Sequence, residues 1–172
     1  MTEEFDEISP NELTDNIFRL IGDEWMLITA GTLGNCNTMT ASWGGTGILW
    51  HKPVATCVVR PTRYTYEFLE ASETFTLSFF SEEYRKALEI CGKKSGRDGD
   101  KFEAAGITPV EEKPGLVSFQ EARLVLECRK LYVHDLQPDH FVDPSLDKFY
   151  PNKDYHRMYI GEITRCLVKR RS

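Results

Sequence analysis

Six strand-like runs, broken by glycine and proline and not separated by regularly placed helices, govern what this chain can fold into. The clearest lies in Glu121–Val133, where Ala122, Leu124, Leu126 and Cys128 share one face and Arg123, Glu127 and Arg129 the other. That period of two predicts a half-exposed antiparallel strand. A short strand is expected at Trp25–Ala30, closed by Gly31 and Gly34. Met39–Trp50 contains Gly44, Gly45 and Gly47, so any strand there must bend or bulge. Val54–Val59 reads as a buried β-branched strand ended by Pro61, followed by strands at Phe75–Phe80 and Tyr159–Val168. With no βαβ alternation, the fold class is mainly β: an antiparallel barrel or sheet with two or three short helices added.

Helices are expected in three places. Ser9-Pro10-Asn11-Glu12 combines a cap, a proline in the first turn and a glutamate three after the cap, with Leu13, Ile17, Phe18 and Leu20 as an apolar stripe ending near Gly22. Thr62–Ala71 reads as a short helix, and Ser81 caps another running to about Ile90. Gly92–Asp100 must be a loop, Lys101–Ala105 is at most one helical turn, and Gln137–Tyr155, with three prolines, is a long loop.

At 172 residues the chain is expected to form a single domain over 1–172, with residues 1–15 as an acidic N-terminal extension. Area scaling implies that roughly 70% of the unfolded surface is buried on folding, enough for a core without staples. The five cysteines stand 21, 34, 37 and 38 positions apart and form no CxxC, which argues against a disulfide framework, a structural zinc site and a thioredoxin-like motif. The formal charge is −6, with eight acids against one base in residues 1–24 and a basic Lys169-Arg170-Arg171 cluster at the other end. An acidic chain without a basic stripe is a poor candidate for nucleic-acid binding. No apolar run could span a membrane and the N-terminus is acidic, so a cytoplasmic protein is expected.

The sequence lacks GxxxxGK[ST], GxGxxG, GxSxG and HExxH, and His51, His134, His140 and His156 fit no zinc-ligand spacing; no metal site is expected. Two polar clusters remain. Asn37-Thr38-Met39-Thr40-Ala41-Ser42-Trp43 offers an amide, hydroxyls and backbone N–H groups beside a thioether and an indole. Arg60-Pro61-Thr62-Arg63 lies between a buried strand and a helix start, where unpaired N–H groups and two arginines suit a phosphate dianion. The alternative is that Thr62 caps the helix and the arginines lie in solvent. Together the clusters fit a flat heterocycle carrying a ribityl or ribose phosphate.

The strings Leu27–Gly31, Gly34–Gly45, Val58–Thr65, Phe75–Phe80, Cys91–Gly92 with Ser95–Phe102, Glu121–Cys128, and His156 five residues before Gly161 occur in order over residues 16–168. In this the chain resembles the flavin reductase-like proteins with an FMN-binding split barrel. The resemblance implies a six-stranded Greek-key split barrel that forms a homodimer with FMN near the dimer interface. Asn37, Thr38, Met39 and Thr40 would border the isoalloxazine, mainly through backbone groups. Thr40 and Ser42, with Thr62 and Arg63, would hold the phosphate and ribityl chain, with Arg60 beside them. Trp43 would shape the ring pocket, Ser95 and Lys101 would lie on the phosphate side, and His156 would stand near the reactive face as the candidate catalytic residue. Trp25 and Trp50 are read as core or interface packing, and Cys36 and Cys91 are given no redox work.

The implied activity is that of an NAD(P)H:flavin oxidoreductase, with NADH or NADPH as a transient donor and ping-pong kinetics. Two alternatives are a flavoredoxin-like electron carrier reduced by a partner protein and a non-catalytic flavin-binding protein.

Overall fold

A computed structural model describes residues 4–170 of the chain; Arg171 of the basic cluster lies outside the described residues. Among them are ten strands: β1 (Phe5–Ile8), β2 (Met26–Thr32), β3 (Asn35–Ala41), β4 (Gly44–Leu49), β5 (Lys52–Val59), β6 (Thr74–Phe79), β7 (Pro109–Glu111), β8 (Val117–Phe119), β9 (Leu124–Asp135) and β10 (Arg157–Lys169). Four α-helices accompany them: α1 (Ile17–Gly22), α2 (Tyr64–Ala71), α3 (Arg85–Lys93) and α4 (Lys101–Ala105). The main sheet runs β3-β2-β6-β9-β10-β5-β4, antiparallel throughout, with β1 added to β10.

The two outermost strands, β3 and β4, are consecutive in the chain and joined only by Ser42 and Trp43. Such a bridge spans at most about 11 Å, so the sheet must curl until its edges nearly meet. They make no ladder with each other, and the barrel is left split at this seam. Curling is helped in β10, whose register with β9 shifts between Ile160 and Gly161 and again between Ile163 and Arg165. A Cβ at Gly161 would sit 2.7 Å from the ring of Phe75, so only glycine lets that ring cross the strand here.

Alternation along the strands sorts residues to two faces. Ile28, Phe75, Leu77, Leu126, Cys57 and Tyr159 fill the barrel interior. Leu27, Val125 and Leu167 point outward, yet they too are buried, under Ala87, Leu88 and Cys91 of α3 and Phe119 of β8. The first half of β9 is therefore covered on both faces, not half exposed as its alternation suggested. Glu127, 1% exposed, is accommodated there because Arg165 Nη1 donates to it at 3.2 Å while Arg165 Nε reaches Glu7 of β1 at 2.9 Å. Burial still raises the Glu127 pKa above the ordinary carboxylate value.

Three local expectations are corrected. The Ser9–Glu12 capping box forms, with Ser9 N donating to Glu12 Oε2 at 2.8 Å, but it closes a single 3-10 turn. The helix starts afresh at Asn16, whose side chain accepts from Phe18 N and Arg19 N, and Phe18 is 90% exposed. Residues 5–8 of the acidic extension are strand β1, and Ser81 bonds Glu83 instead of capping α3. The hairpin β7–β8 carried no sequence signal strong enough to be expected. Among the described residues no helix is long and apolar enough to cross a membrane, and all five cysteines are free thiols.

Candidate functional site

The seam of the barrel opens into a chamber of about 450 Å³. Strand β3 contributes Met39, Thr40 and Ala41, the bridge contributes Ser42 and Trp43, β5 contributes Val58, and α3 supplies Leu88 and Gly92. Helix α3 approaches β3 closely because residue 92 is glycine: a Cβ there would touch Thr40 at 3.4 Å. The Thr40 hydroxyl donates to Leu88 O at 2.5 Å and ties the strand to the helix. Trp25 also lines this chamber, with the Arg85 guanidinium 3.4 Å above its ring. It packs against the outer apolar cluster, as expected, and is at the same time a wall of the cavity.

A second chamber, of about 310 Å³, adjoins the first through Arg63, Gly92 and Lys93, which line both. Its walls carry Arg63, Lys93, Lys94, Arg97 and Lys101 and no carboxylate. Arg97 is paired with Glu67. Arg63, Lys93 and Lys94 have no ion-pair partner among the described residues. Burial lowers the Arg63 pKa from its ordinary value, as expected for a cation waiting without a counter-charge. Arg63 is the N-cap of α2 and no side chain caps that helix, so its first N–H groups face the cavity. Thr62 is exposed and does not act as the cap.

Lys101, 3% exposed, projects from α4 into the back of this chamber and donates to the Thr38 carbonyl. Its pKa is lowered to about 8, chiefly by burial, with the Arg63 charge adding to the effect and Cys91 opposing it. Asn37 is held by Nδ2 donating to Thr65 Oγ1 at 2.8 Å. Ser95 accepts from Arg97 N at 3.2 Å and so shapes the loop over the cations.

On the far side of the first chamber His156, 8% exposed, lies 5.2 Å from the Trp43 ring, centroid to centroid. Its Nδ1 is 2.8 Å from the Tyr150 hydroxyl. Burial first, then the Arg60 charge, lowers its pKa to about 4, so the imidazole is neutral at physiological pH. Arg60 lines this chamber but is bound to the 137–155 loop: Nη1 donates to Asp154 at 2.7 Å, Nη2 to Phe149 O at 2.8 Å, and the guanidinium sits over Tyr150.

The structure thus brings Met39, Thr40, Ser42, Trp43, Arg60, Arg63 and His156 to the first chamber and Asn37, Thr62, Arg63, Ser95 and Lys101 to the second. Thr38 reaches neither. Its side chain is fully buried, with its hydroxyl 2.8 Å from Thr29 Oγ1 and 3.1 Å from Ile28 O. Arg60 is a loop anchor and does not reach the second chamber. Sequence reasoning missed Trp25, Lys93 and Lys94: lysines closing a helix are routine, and nothing local marks them as facing a cavity. Trp25 does carry one structural mark, a φ of 69°, but it is invisible in the sequence. Cys36 and Cys91 are both held near pKa 11 by burial, which keeps them protonated.

An apolar slot continuous with a cation-lined, carboxylate-free chamber can hold a flat ring system bearing a phosphate. The model of the family described as flavin reductase like domain matches residues 18–172. No curated protein matches the chain. Among solved structures, an FMN-binding domain of a flavin reductases-like enzyme from Shewanella baltica OS155 superposes with a TM-score of 0.68 at 17% identity, over 96% of this chain and 77% of that one. Flavoredoxin of Desulfovibrio vulgaris (Miyazaki F) gives 0.65 at 22% identity, over 95% and 77%. Nitrilotriacetate monooxygenase component B from Bacillus cereus gives 0.66 at 18%, over 94% and 80%. These likenesses are of fold, and the fold is the split barrel expected from the sequence, with more strands than the six foreseen.

Proposed function

Because the chain belongs to the flavin reductase like domain family, we propose that it is a cytoplasmic, homodimeric, single-domain NAD(P)H:flavin oxidoreductase that holds FMN in the two joined chambers. One observation carries the reading: an apolar slot opens directly into a chamber with five cationic side chains and no carboxylate. Solved structures of the same fold described as FMN-binding support the choice of ligand.

Met39, Val58, Leu88 and Trp43 would enclose the ring system, and Arg63, Lys93, Lys94, Ser95 and the first N–H groups of α2 would hold the phosphate. When bound, FMN supplies two-electron redox chemistry, taking reducing equivalents from a reduced nicotinamide. The protein's part is positioning and electrostatics. Trp43, 43% exposed, leaves the mouth of the slot open, so donor and acceptor can use one opening in turn. His156 is neutral, and Tyr150 at Nδ1 fixes its ring orientation, leaving Nε2 for a hydrogen bond within the slot. It serves as a polar contact, not as a cation. Arg60 adds fixed positive charge beside it and fastens the 137–155 loop over this end of the cavity.

The test is the visible spectrum of the purified protein, reconstituted with FMN and then mixed with NADH or NADPH without oxygen. Bleaching within seconds is expected. A yellow protein inert to both donors would make it an electron carrier reduced by a partner protein, and failure to take up FMN would remove the flavin reading.

A further inference from the structure

Lys101 is the one lysine buried among the described residues, at 3% exposure. It nonetheless lines two cavities, the second chamber and a third of about 560 Å³ behind it. Its Nζ donates to the Thr38 carbonyl, and no carboxylate among the described residues pairs with it. The adjacent Asp100 is engaged as the cap of α4, its Oδ1 accepting from Phe102 N at 2.8 Å and Glu103 N at 3.2 Å. A desolvated amine beside other cations and without a counter-charge gives up its proton readily and becomes a nucleophile. We propose that Lys101 is a modification site for small acyl phosphates, whose phosphoryl group docks among Arg63, Lys93 and Lys94 and whose acyl group passes to Nζ.

The chamber selects the reagent. Its cations, with no carboxylate among them, suit phosphoryl oxygens. Arg63, Lys93 and Lys94 also offset the negative charge of such a reagent, so Lys101 need not stay protonated to face it. The Lys101 pKa is already lowered to about 8 by burial, with the Arg63 charge adding to the effect. Cys91, the group opposing it, is itself held near 11 and stays a neutral thiol. Near neutral pH this raises the share of free amine by about two orders of magnitude over an ordinary lysine. With one N–H on the Thr38 carbonyl, the lone pair of that amine can turn into the cavity.

In the reaction the bond from Nζ to the acyl carbon forms and the bond from that carbon to the phosphoryl oxygen breaks. Inorganic phosphate leaves with the amine proton, and nothing is oxidised or reduced. A modifying protein would have to bring its own active site to an amine that is 3% exposed. A small acyl phosphate needs only the chamber of about 310 Å³. The product is an uncharged amide standing between the second and third cavities. Resting on the flavin reading above, its consequence is that FMN loses one cation and part of its phosphate space, so acylation lowers flavin affinity.

The experiment is peptide mass spectrometry of the full-length protein after timed exposure to acetyl phosphate near neutral pH. Lys101 should be acetylated about tenfold faster than Lys93 and Lys94, although both of those are exposed. Inorganic phosphate should remove that lead. Arg63→Gln should slow the reaction of Lys101 with acetyl phosphate about tenfold and leave its reaction with uncharged acetic anhydride within about twofold. That contrast separates a lost docking group from a disturbed fold. Equal rates at the three lysines, an unmodified Lys101, or a lead that neither phosphate nor Arg63→Gln reduces would overturn the proposal. Calorimetry then compares FMN binding to wild type, to the acetylated protein and to Lys101→Gln, the last two expected to be about tenfold weaker. Unchanged affinity after acetylation would overturn the assignment of the modification to the phosphate chamber. Wild type that binds no FMN while Lys101 is still selectively acetylated would refute the flavin reading and uphold the modification site.

Discussion

The Tyr150 hydroxyl stands 2.8 Å from His156 Nδ1, with the two rings edge-to-face at 5.5 Å between centroids. This contact joins the 137–155 loop to the residue just before β10. Tyr150 is 4% exposed, so no water readily replaces a lost partner. Tyr150→Phe should cost about 1 kcal/mol, read as a lower midpoint in urea unfolding. An unchanged midpoint would mean that the hydroxyl and the imidazole are not coupled.

Arg60 is the second fastening of the same loop. Removing its bonds to Asp154 and Phe149 O leaves a carboxylate side chain that is 14% exposed without its cation. Arg60→Leu should destabilise by about 2 kcal/mol. Amide exchange should rise in residues 144–155 and stay unchanged in the barrel strands. Uniform loss of protection would show instead that Arg60 supports the whole fold.

Arg63 offers a different readout, because no carboxylate among the described residues pairs with it. Arg63→Gln should leave stability nearly unchanged and weaken FMN by about 10- to 100-fold, the worth of a charge-assisted phosphate contact. Riboflavin, which lacks the phosphate, should lose little. Equal losses for both ligands would place the phosphate elsewhere.

Lys101 gives the site a pH dependence. Its ammonium is held at about 8 in the ligand-free protein by burial, and an anion in the chamber stabilises the charged form. Binding therefore takes up a proton above pH 8, and affinity for FMN should fall as pH rises from 7 to 9.5. The limit is about tenfold per pH unit for one linked proton. Calorimetry in buffers of different ionisation enthalpy measures the uptake directly, and Lys101→Met should abolish it. A flat profile in wild type would exclude Lys101 from the phosphate site.

The β4–β5 hairpin turns on Trp50 and His51, both left-handed, with φ of 53° and 57°. Asn-Gly is the ordinary choice there, and a bulky residue at such φ costs roughly 1–2 kcal/mol. Trp50 is 51% exposed and lies near Tyr132, with Ile48 67% exposed beside it on the edge strand β4. Strain that supports an exposed indole has a use if a second copy covers it. Replacing Trp50-His51 by Asn-Gly should raise monomer stability by about 2 kcal/mol while weakening the proposed homodimer in sedimentation velocity. A dimer of unchanged strength would locate the interface on another face.

What could be read from the sequence followed the reach of each signal. β9 was legible because its alternation is decided within the strand, but its outer cover was not, since β1 and the β7–β8 hairpin come from distant segments. β1 reads Phe-Asp-Glu-Ile and becomes a strand because the end of β10 needs a partner, with Arg165 and Arg170 drawing in Glu7 and Asp6. The capping box was real yet local, and Asn16 offered the chain a second start four residues past Glu12. In the site, Asn37, Ser42, Trp43 and Arg63 were legible from their chemistry and spacing. Arg60 does line the first chamber, but its anchoring to Asp154 and Phe149 O was not legible, because those partners lie some ninety residues away. Thr38 shares the outward face of β3 with Thr40, but its hydroxyl is taken up by Thr29 and Ile28 O, partners on the neighbouring strand that its own segment does not reveal.

The two-residue bridge of Ser42 and Trp43 makes the barrel its own calliper. The gap between the jaws is set by chain length, while the hydrogen-bond ladders on either side fix everything else. The bridge sets the greatest width the mouth can take, so lengthening it by a residue would lift that limit without disturbing a strand pair. The breadth of molecule admitted at this seam is therefore a property that insertion and deletion can adjust, independently of the residues that line it.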